Sequence, residues 1–172
     1  MPEMVPYDGA ALEATNRLLG NVSFASNLHH GVKPETMDPI PPVNAKGGRT
    51  IPADGWRTIY SLVVTEDMCN PLGNLHGGAA ATLVDTVTSA SMGLLATDKM
   101  WGHPMLTGVS LALDMAYYNA CPVGTKMKIT VTVEHLGASL ANVRGELTDW
   151  ETGKRYAAGN HVKTWRGPKP KL

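Results

Sequence analysis

The chain reads as an α+β protein in which one long buried helix packs against an antiparallel sheet of about five to six strands. Three observations predict this. The stretch Asn70 to Thr97, NPLGNLHGGAAATLVDTVTSASMGLLAT, is a turn, a glycine-rich entry and then a helix of apolar and small residues. From His76 to Thr97 the only formal charge is Asp85; a helix with no polar stripe cannot face water and must be buried. Beyond Gly108 the hydrophobic period changes to two over consecutive segments, the pattern of strands with one covered face.

A helix over that span would be about 33 Å long, enough to cross a membrane. Asp85, the interspersed Thr and Ser and the opening glycines argue for a core helix instead, so no membrane span is expected. With 172 residues the chain is one domain by the usual size prior. Its 15 Lys and Arg balance 15 Asp and Glu, and no basic run forms a patch, which excludes nucleic acid as an electrostatic partner. Cys69 and Cys121 form no paired motif; together with the absence of a signal-like start they point to a reducing compartment. The six histidines show no metal-ligand spacing, and no metal site or cofactor is expected. Cys69, between Met68 and Asn70 with no assignable base, reads as a packed side chain rather than a nucleophile.

Taken in order, the chain opens with an amphipathic helix over Gly9–Leu19, its apolar positions Ala11, Leu12, Leu18 and Leu19 and its stop Gly20. A short strand is expected over roughly Asn21–His29. From Gly31 to Asp54, Pro34, Pro39, Pro41, Pro42 and Pro52 predict a loop without regular structure. Residues 1–55 are read as a leading segment of the same domain, 56–167 as its body and 168–172 as a flexible tail. Trp56–Thr65 is β-branched and aromatic, a strand. After the helix, Asp98–Gly108 is a loop. Ser110–Tyr118 then sets Leu111, Leu113, Met115 and Tyr117 on one face, opposite Ser110, Ala112, Asp114, Ala116 and Tyr118. Met127–Glu134 puts Met127, Ile129, Val131 and Val133 inward, and Ser139–Trp150 does the same for Ala141, Val143, Gly145 and Leu147. The turn Glu151–Lys154 leads into a returning strand, Arg155–Trp165. The mildly basic end from Lys163 onward reads as fraying.

The helix start carries the chemistry. Its first amides have no intrahelical acceptor and lie at the positive end of the macrodipole. Gly77 and Gly78 leave that end open, so a carbonyl oxygen arriving at the Gly77 amide would be polarised. Asn70 could add a side-chain donor, His76 could donate to a leaving atom, and Asp85, two turns on, could act as a general base or orient water. Each residue alone also fits a packing or capping role: the glycines as relief for a neighbouring strand, His76 as a cap, Asp85 as a partner of Thr82, Thr86, Thr88 or Ser89. Spacing alone leaves the two readings level. The helix face of Ala81, Thr82, Asp85, Ser89 and Met92 is small and hydroxylated, suited to a shared, partly solvated interface.

The string Asn70-x5-His76-Gly77-Gly78-x6-Asp85 resembles the signature of hotdog-fold acyl-CoA thioesterases of the phenylacetate-pathway and "thioesterase superfamily member" type. The likeness extends over about residues 56–165, through Gly108-Val109-Ser110 and the Glu151–Lys154 turn. It implies the hotdog fold and hydrolysis of a fatty or aromatic acyl-CoA to free acid and coenzyme A, a reaction of lipid metabolism with no cofactor beyond the CoA of the substrate. It further implies catalytic roles for Asn70 and Gly77 (thioester carbonyl), Asp85 and Ser110 (water) and His76 (leaving thiolate). Gly78, Thr86 and Ser89 are the expected substrate-binding residues. It implies a homodimer or a tetramer of paired dimers, Asp85 and Ser110 reaching the site from the neighbouring copy. The alternatives are a hotdog hydratase or dehydratase on enoyl- or hydroxyacyl-thioesters, and a non-catalytic acyl-CoA-binding subunit. The ending Pro170-Lys171-Leu172 approaches a Ser-Lys-Leu peroxisomal address without its serine; the expected location is cytoplasmic, with peroxisome or mitochondrion as alternatives.

Overall fold

A computed structural model describes residues 3–20 and 23–166. Its elements run β1 (Val5–Pro6), α1 (Gly9–Gly20), α2 (Ser26–His29), β2 (Lys33–Met37), β3 (Trp56–Val63), α3 (Gly77–Leu95), β4 (Val109–Tyr117), β5 (Lys126–Leu136), β6 (Leu140–Asp149) and β7 (Arg155–Thr164). The strands form one antiparallel sheet in the order β1-β2-β3-β5-β6-β7-β4, and α3 packs on β4, β5, β6 and β7. The architecture is the expected one, extended to 7 strands by the short pair at the β1 edge.

α3 survives as a helix rich in hydroxyls because those groups bond back to its own carbonyls. Thr82 donates to Gly78, Thr88 to Val84, Ser89 to Asp85 and Ser91 to Val87, which satisfies them without water. Leu83, Val84, Val87 and Met92 are fully buried against the sheet. Ala81, Thr82, Asp85 and Ser89 form the half-buried face that was expected, but Met92 belongs to the core instead. The inward positions of β5 and β6 (Met127, Ile129, Val131, Val133, Ala141, Val143 and Leu147) are all buried as the alternation predicts. Gly145 and Gly159 face each other on β6 and β7 and leave a trough for Val84: a Cβ on Gly145 would come within 2.8 Å of a Val84 methyl.

Three expectations are corrected. The strand expected over Asn21–His29 begins outside the described residues, and its remainder is a turn followed by α2, which packs on α3. The Pro-rich segment does hold a strand, β2. Pro34 is tolerated there because β1 pairs only Met37 and Thr36, and the β2–β3 register shifts between Pro34 and Thr36, so no neighbour needs the missing N–H. The rest of that segment is fastened by Asp38, which accepts from the Arg57 backbone and guanidinium at 2.8–3.0 Å, and by Trp56 Nε1 donating to the Asp38 carbonyl at 3.0 Å. Finally, Lys163–Trp165 is not frayed: Lys163 and Trp165 are buried on the inner side of the sheet. The expected flexible tail 168–172 lies outside the described residues.

β4 departs from simple alternation in a way that builds the site. A bulge between Ser110 and Ala112 switches its phase, so Ser110, Leu113, Met115 and Tyr117 pair with Lys163, His161, Gly159 and Ala157, the inward positions of β7. Ser110 and Tyr117, which strict alternation places on opposite faces, therefore both look toward α3. Leu111 is the residue expelled, 60% exposed.

Candidate active site

The predicted residues fall into two groups on one chain. The first surrounds the start of α3. Asn70 forms a tight turn: its Oδ1 accepts the Leu72 and Asn74 amides at 2.9 and 3.3 Å, and Gly73 takes φ +72° to close it. With Oδ1 committed, Nδ2 is the free end of the amide, and it makes no hydrogen bond among the described residues. His76 is the N-cap of α3, its Nδ1 accepting the Gly78 amide at 2.9 Å. That bond fixes the neutral tautomer with the proton on Nε2, an exposed donor. Gly78 is thus tied to the cap, whereas the Gly77 amide, at the first helical position, has no acceptor among the described residues. Tyr117 of β4 donates from Oη to the Gly77 carbonyl at 2.9 Å. Sequence reading missed Tyr117 because the β4 bulge that turns it to the helix has no clear signature.

The second group lies further along α3. Asp85, its side chain 48% exposed, places Oδ1 at 3.4 Å from both Ser110 Oγ and His161 Nε2. His161 Nε2 is 2.8 Å from Ser110 Oγ, and its Nδ1 is 2.6 Å from Thr88 Oγ1. Thr88 has one proton and two helix carbonyls to give it to, Val84 at 2.7 Å and Asp85 at 3.0 Å. Thr88 therefore accepts from His161 Nδ1–H, and Nε2 in turn accepts the Ser110 hydroxyl. Burial first, and the Lys163 charge second, hold His161 down to about 4 against the opposing pull of Asp85. At neutral pH the imidazole is uncharged, and its contact with Asp85 is not an ion pair. The one Ser110 proton goes to the nearer acceptor, His161 Nε2 at 2.8 Å, and Asp85 Oδ1 keeps only long 3.4 Å contacts with its two neighbours. Beside them Lys163 Nζ donates to Ser89 Oγ at 2.8 Å.

His161 and Lys163 were not singled out from the sequence. The available signal was phase, since Ala157 and Gly159 are inward and His161 and Lys163 continue the same two-residue step. Thr86 stands apart from this group: its hydroxyl faces His29 of α2 at 3.5 Å. Cys69 bonds to the Thr65 carbonyl at 3.3 Å, and Cys121 is buried, its thiol pushed up to about 11 by that burial. Among the described residues no cluster of three His, Cys, Asp or Glu side chains could hold a metal. No described helix is long and apolar enough to cross a membrane.

Residues 72–155 match the family model of the thioesterase superfamily. Acyl-coenzyme A thioesterase 13 from Mus musculus is 36% identical over 107 residues, 62% of this chain and 71% of that protein. The Homo sapiens protein of the same name is 37% identical over the same length. The chain belongs to the thioesterase superfamily. It is a hydrolase acting on thioesters, and its fold is that of solved members. The crystal structure of mouse thioesterase superfamily member 2 superposes with TM-score 0.68 at 23% identity, over 92% of this chain and 98% of that one. The E. coli PaaI protein of a phenylacetic acid degradation operon gives 0.64 at 18%, over 91% and 94%. The family match spans the helix start, Asp85 and Ser110, while β2 and the segment from Asp38 to Asp54 lie before it.

Proposed function

We propose that this thioesterase hydrolyses a fatty or aromatic acyl-CoA, at a site made by two copies of the chain. The thioester carbonyl sits on the Gly77 amide and Asn70 Nδ2. Asp85 Oδ1 takes a proton from water, whose oxygen attacks the carbonyl carbon; the oxyanion collapses, the C–S bond breaks, and the thiolate, beside His76 Nε2–H, takes up through solvent the proton that Asp85 gives back. The products are free acid and CoA thiol. His161 holds Ser110 as a donor to itself, so that a serine lone pair, with Asp85, orients the water.

The observation that carries this reading is the separation of the two groups. Gly77 and Asp85 are eight residues apart, a rise of about 12 Å, too far for one water to bridge within one chain. β4 supplies the remedy. It is the sheet edge, nine residues long, with Val109, Leu111 and Tyr117 at least half exposed and no Lys or Pro to protect it. Antiparallel pairing of β4 with a second copy about its centre sets the Ser110 end of one strand beside the Tyr117 end of the other. Since Ser110 adjoins Asp85 and Tyr117 adjoins Gly77, each Asp85 then meets the helix start of the other copy.

The 2.8 Å Ser110–His161 contact favours one second reading, in which Ser110 is itself the nucleophile and forms an acyl-enzyme. Asp85 comes first because its carboxylate is half in solvent, where water is. The test is release of free thiol from a panel of acyl-CoAs, short, long and aromatic. Thiol release from at least one is expected. Loss of enoyl absorbance without thiol release would assign a hydratase, and neither signal would leave a binding protein.

A further inference from the structure

Lys163 is a buried charge that the hydrolytic reading leaves unexplained. It is 3% exposed, on the inner face of β7, yet its ammonium has three protons and one hydrogen-bond partner among the described residues, Ser89 Oγ at 2.8 Å. An ammonium in a protein interior is costly unless an anion compensates it, and lysines are almost never buried without one. The groups that face it can be stated element by element. α3 brings Asp85 and Ser89; β4 brings Ser110, opposite it in register; β6 brings the uncharged Ala141; its own strand brings His161. Burial lowers the Lys163 titration, and Asp85, the one anion among these groups, opposes that and favours the ammonium; His161 is the one other group of the set that could become a cation.

We propose that Lys163 is a positioning residue of this site: its buried ammonium, anchored on Ser89, is a fixed positive charge that keeps the His161–Ser110 pair in the arrangement that leaves Asp85 Oδ1 to water. The inference rests on the catalytic roles proposed above for Asp85 and Ser110. A proton added to His161 Nε2 would turn that nitrogen from acceptor to donor. It would then reach Asp85 Oδ1, 3.4 Å away, and release the Ser110 hydroxyl to turn toward the carboxylate as well. Both changes engage the oxygen that must receive the proton of water. A second cation close to a buried ammonium is strongly disfavoured at low dielectric, so Lys163 opposes that switch. The direction of the His161 titration agrees: Lys163 is second only to burial among the causes that lower it, and Asp85 works against them. Ser89, which donates to the Asp85 carbonyl at 2.8 Å while accepting from Lys163, fixes the ammonium to the same turn of α3 that carries the carboxylate.

The experiment compares wild type with Lys163→Met, Lys163→Arg and Ser89→Ala. The first measurement is the ring titration of His161 by NMR, which needs no substrate; the second is the pH profile of thiol release from the best acyl-CoA. In Lys163→Met, His161 takes up its proton at least one pH unit higher, a tenfold gain in proton affinity, while Lys163→Arg keeps the wild-type titration. Ser89→Ala, a small change that preserves the fold, shifts it in the same direction as Lys163→Met but less. In Lys163→Met the acid limb of kcat moves with the ring titration, and KM stays within about twofold. An unmoved His161 titration in Lys163→Met overturns the proposal; if Lys163→Met does not fold, an unmoved titration in Ser89→Ala does so. Absence of thiol release with a shifted His161 titration would instead count against the hydrolytic roles of Asp85 and Ser110, so the two failures are distinguishable.

Discussion

Tyr117 donates its phenolic proton to the carbonyl of Gly77 at 2.9 Å, tying the far end of the edge strand to the first residue of the central helix. The bond holds the 77–78 peptide, adjacent to the one that carries the Gly77 amide, so it steadies the residue without occupying that donor. Tyr117→Phe keeps the ring and loses this one bond. The expected result is a five- to tenfold fall in kcat/KM, the size of about 1 kcal/mol for a hydrogen bond lost at a half-exposed site, with no change in Tm beyond a degree or two.

Asp85→Asn removes the base while keeping size and most polar contacts. Its kcat should fall by about two orders of magnitude or more, within the range of a positioned acid–base group, with KM nearly unchanged. Ser110→Ala should be milder, about tenfold. Steady-state kinetics of the two variants on one substrate ranks them; the reverse order would transfer the leading role to Ser110 and favour an acyl-enzyme.

Glycines separate stability from catalysis. A Cβ on Gly145 would lie 2.8 and 3.3 Å from the two methyls of Val84, whose branched side chain has little freedom to yield. Gly145→Ala should cost roughly 1–3 kcal/mol, a drop of several degrees in Tm. A Cβ on Gly77 would meet the Tyr117 ring at 3.5 Å, an ordinary contact. Gly77→Ala should therefore leave Tm unchanged or slightly raised, because alanine is the better helix former, yet lower kcat/KM by crowding the carbonyl. Thermal melts beside kinetics read both.

Asp38, 1% exposed, holds the Arg57 guanidinium and backbone amide at once. Asp38→Ala takes an ion pair and two hydrogen bonds from a guanidinium that is 20% exposed, and removes the acceptor of the Arg57 amide. A loss of about 3 kcal/mol is expected, roughly 10 °C in Tm, with activity below the melt unaffected because the pair is remote from α3's half-buried face.

Much of this was legible in the sequence because burial imprints a period. The helix with one charge, and the alternation in Met127–Glu134 and Ser139–Trp150, follow from side chains that must face one core. The helix start was legible from Gly77 and Gly78 behind His76, the N-cap the structure shows, whereas its reading as a site came from the resemblance and not from spacing. Three things were not. The β4 bulge breaks the period at Leu111, and nothing in the residues Val109–Leu113 announces it; so the inward turn of Ser110 and Tyr117 could not be read together. β2 was hidden because Pro34 argues against a strand unless one knows that its neighbour β1 is two residues long. His161 and Lys163 lay within the expected strand Arg155–Trp165 and in phase with small inward residues, but their partners Thr88, Ser110 and Ser89 come from other elements and leave no mark in the local sequence.

The most direct measurement of the shared site is subunit complementation. Asp85→Asn and Asn70→Ala proteins, each nearly inactive, are mixed under conditions of verified subunit exchange. A mixed pair of copies contains one intact site and one doubly damaged one, so random exchange should restore about a quarter of wild-type thiol release. A mixture no more active than its parents, with exchange demonstrated, would contradict the account: Asp85 and Asn70 would then have to act from the same chain, across the distance that separates them here.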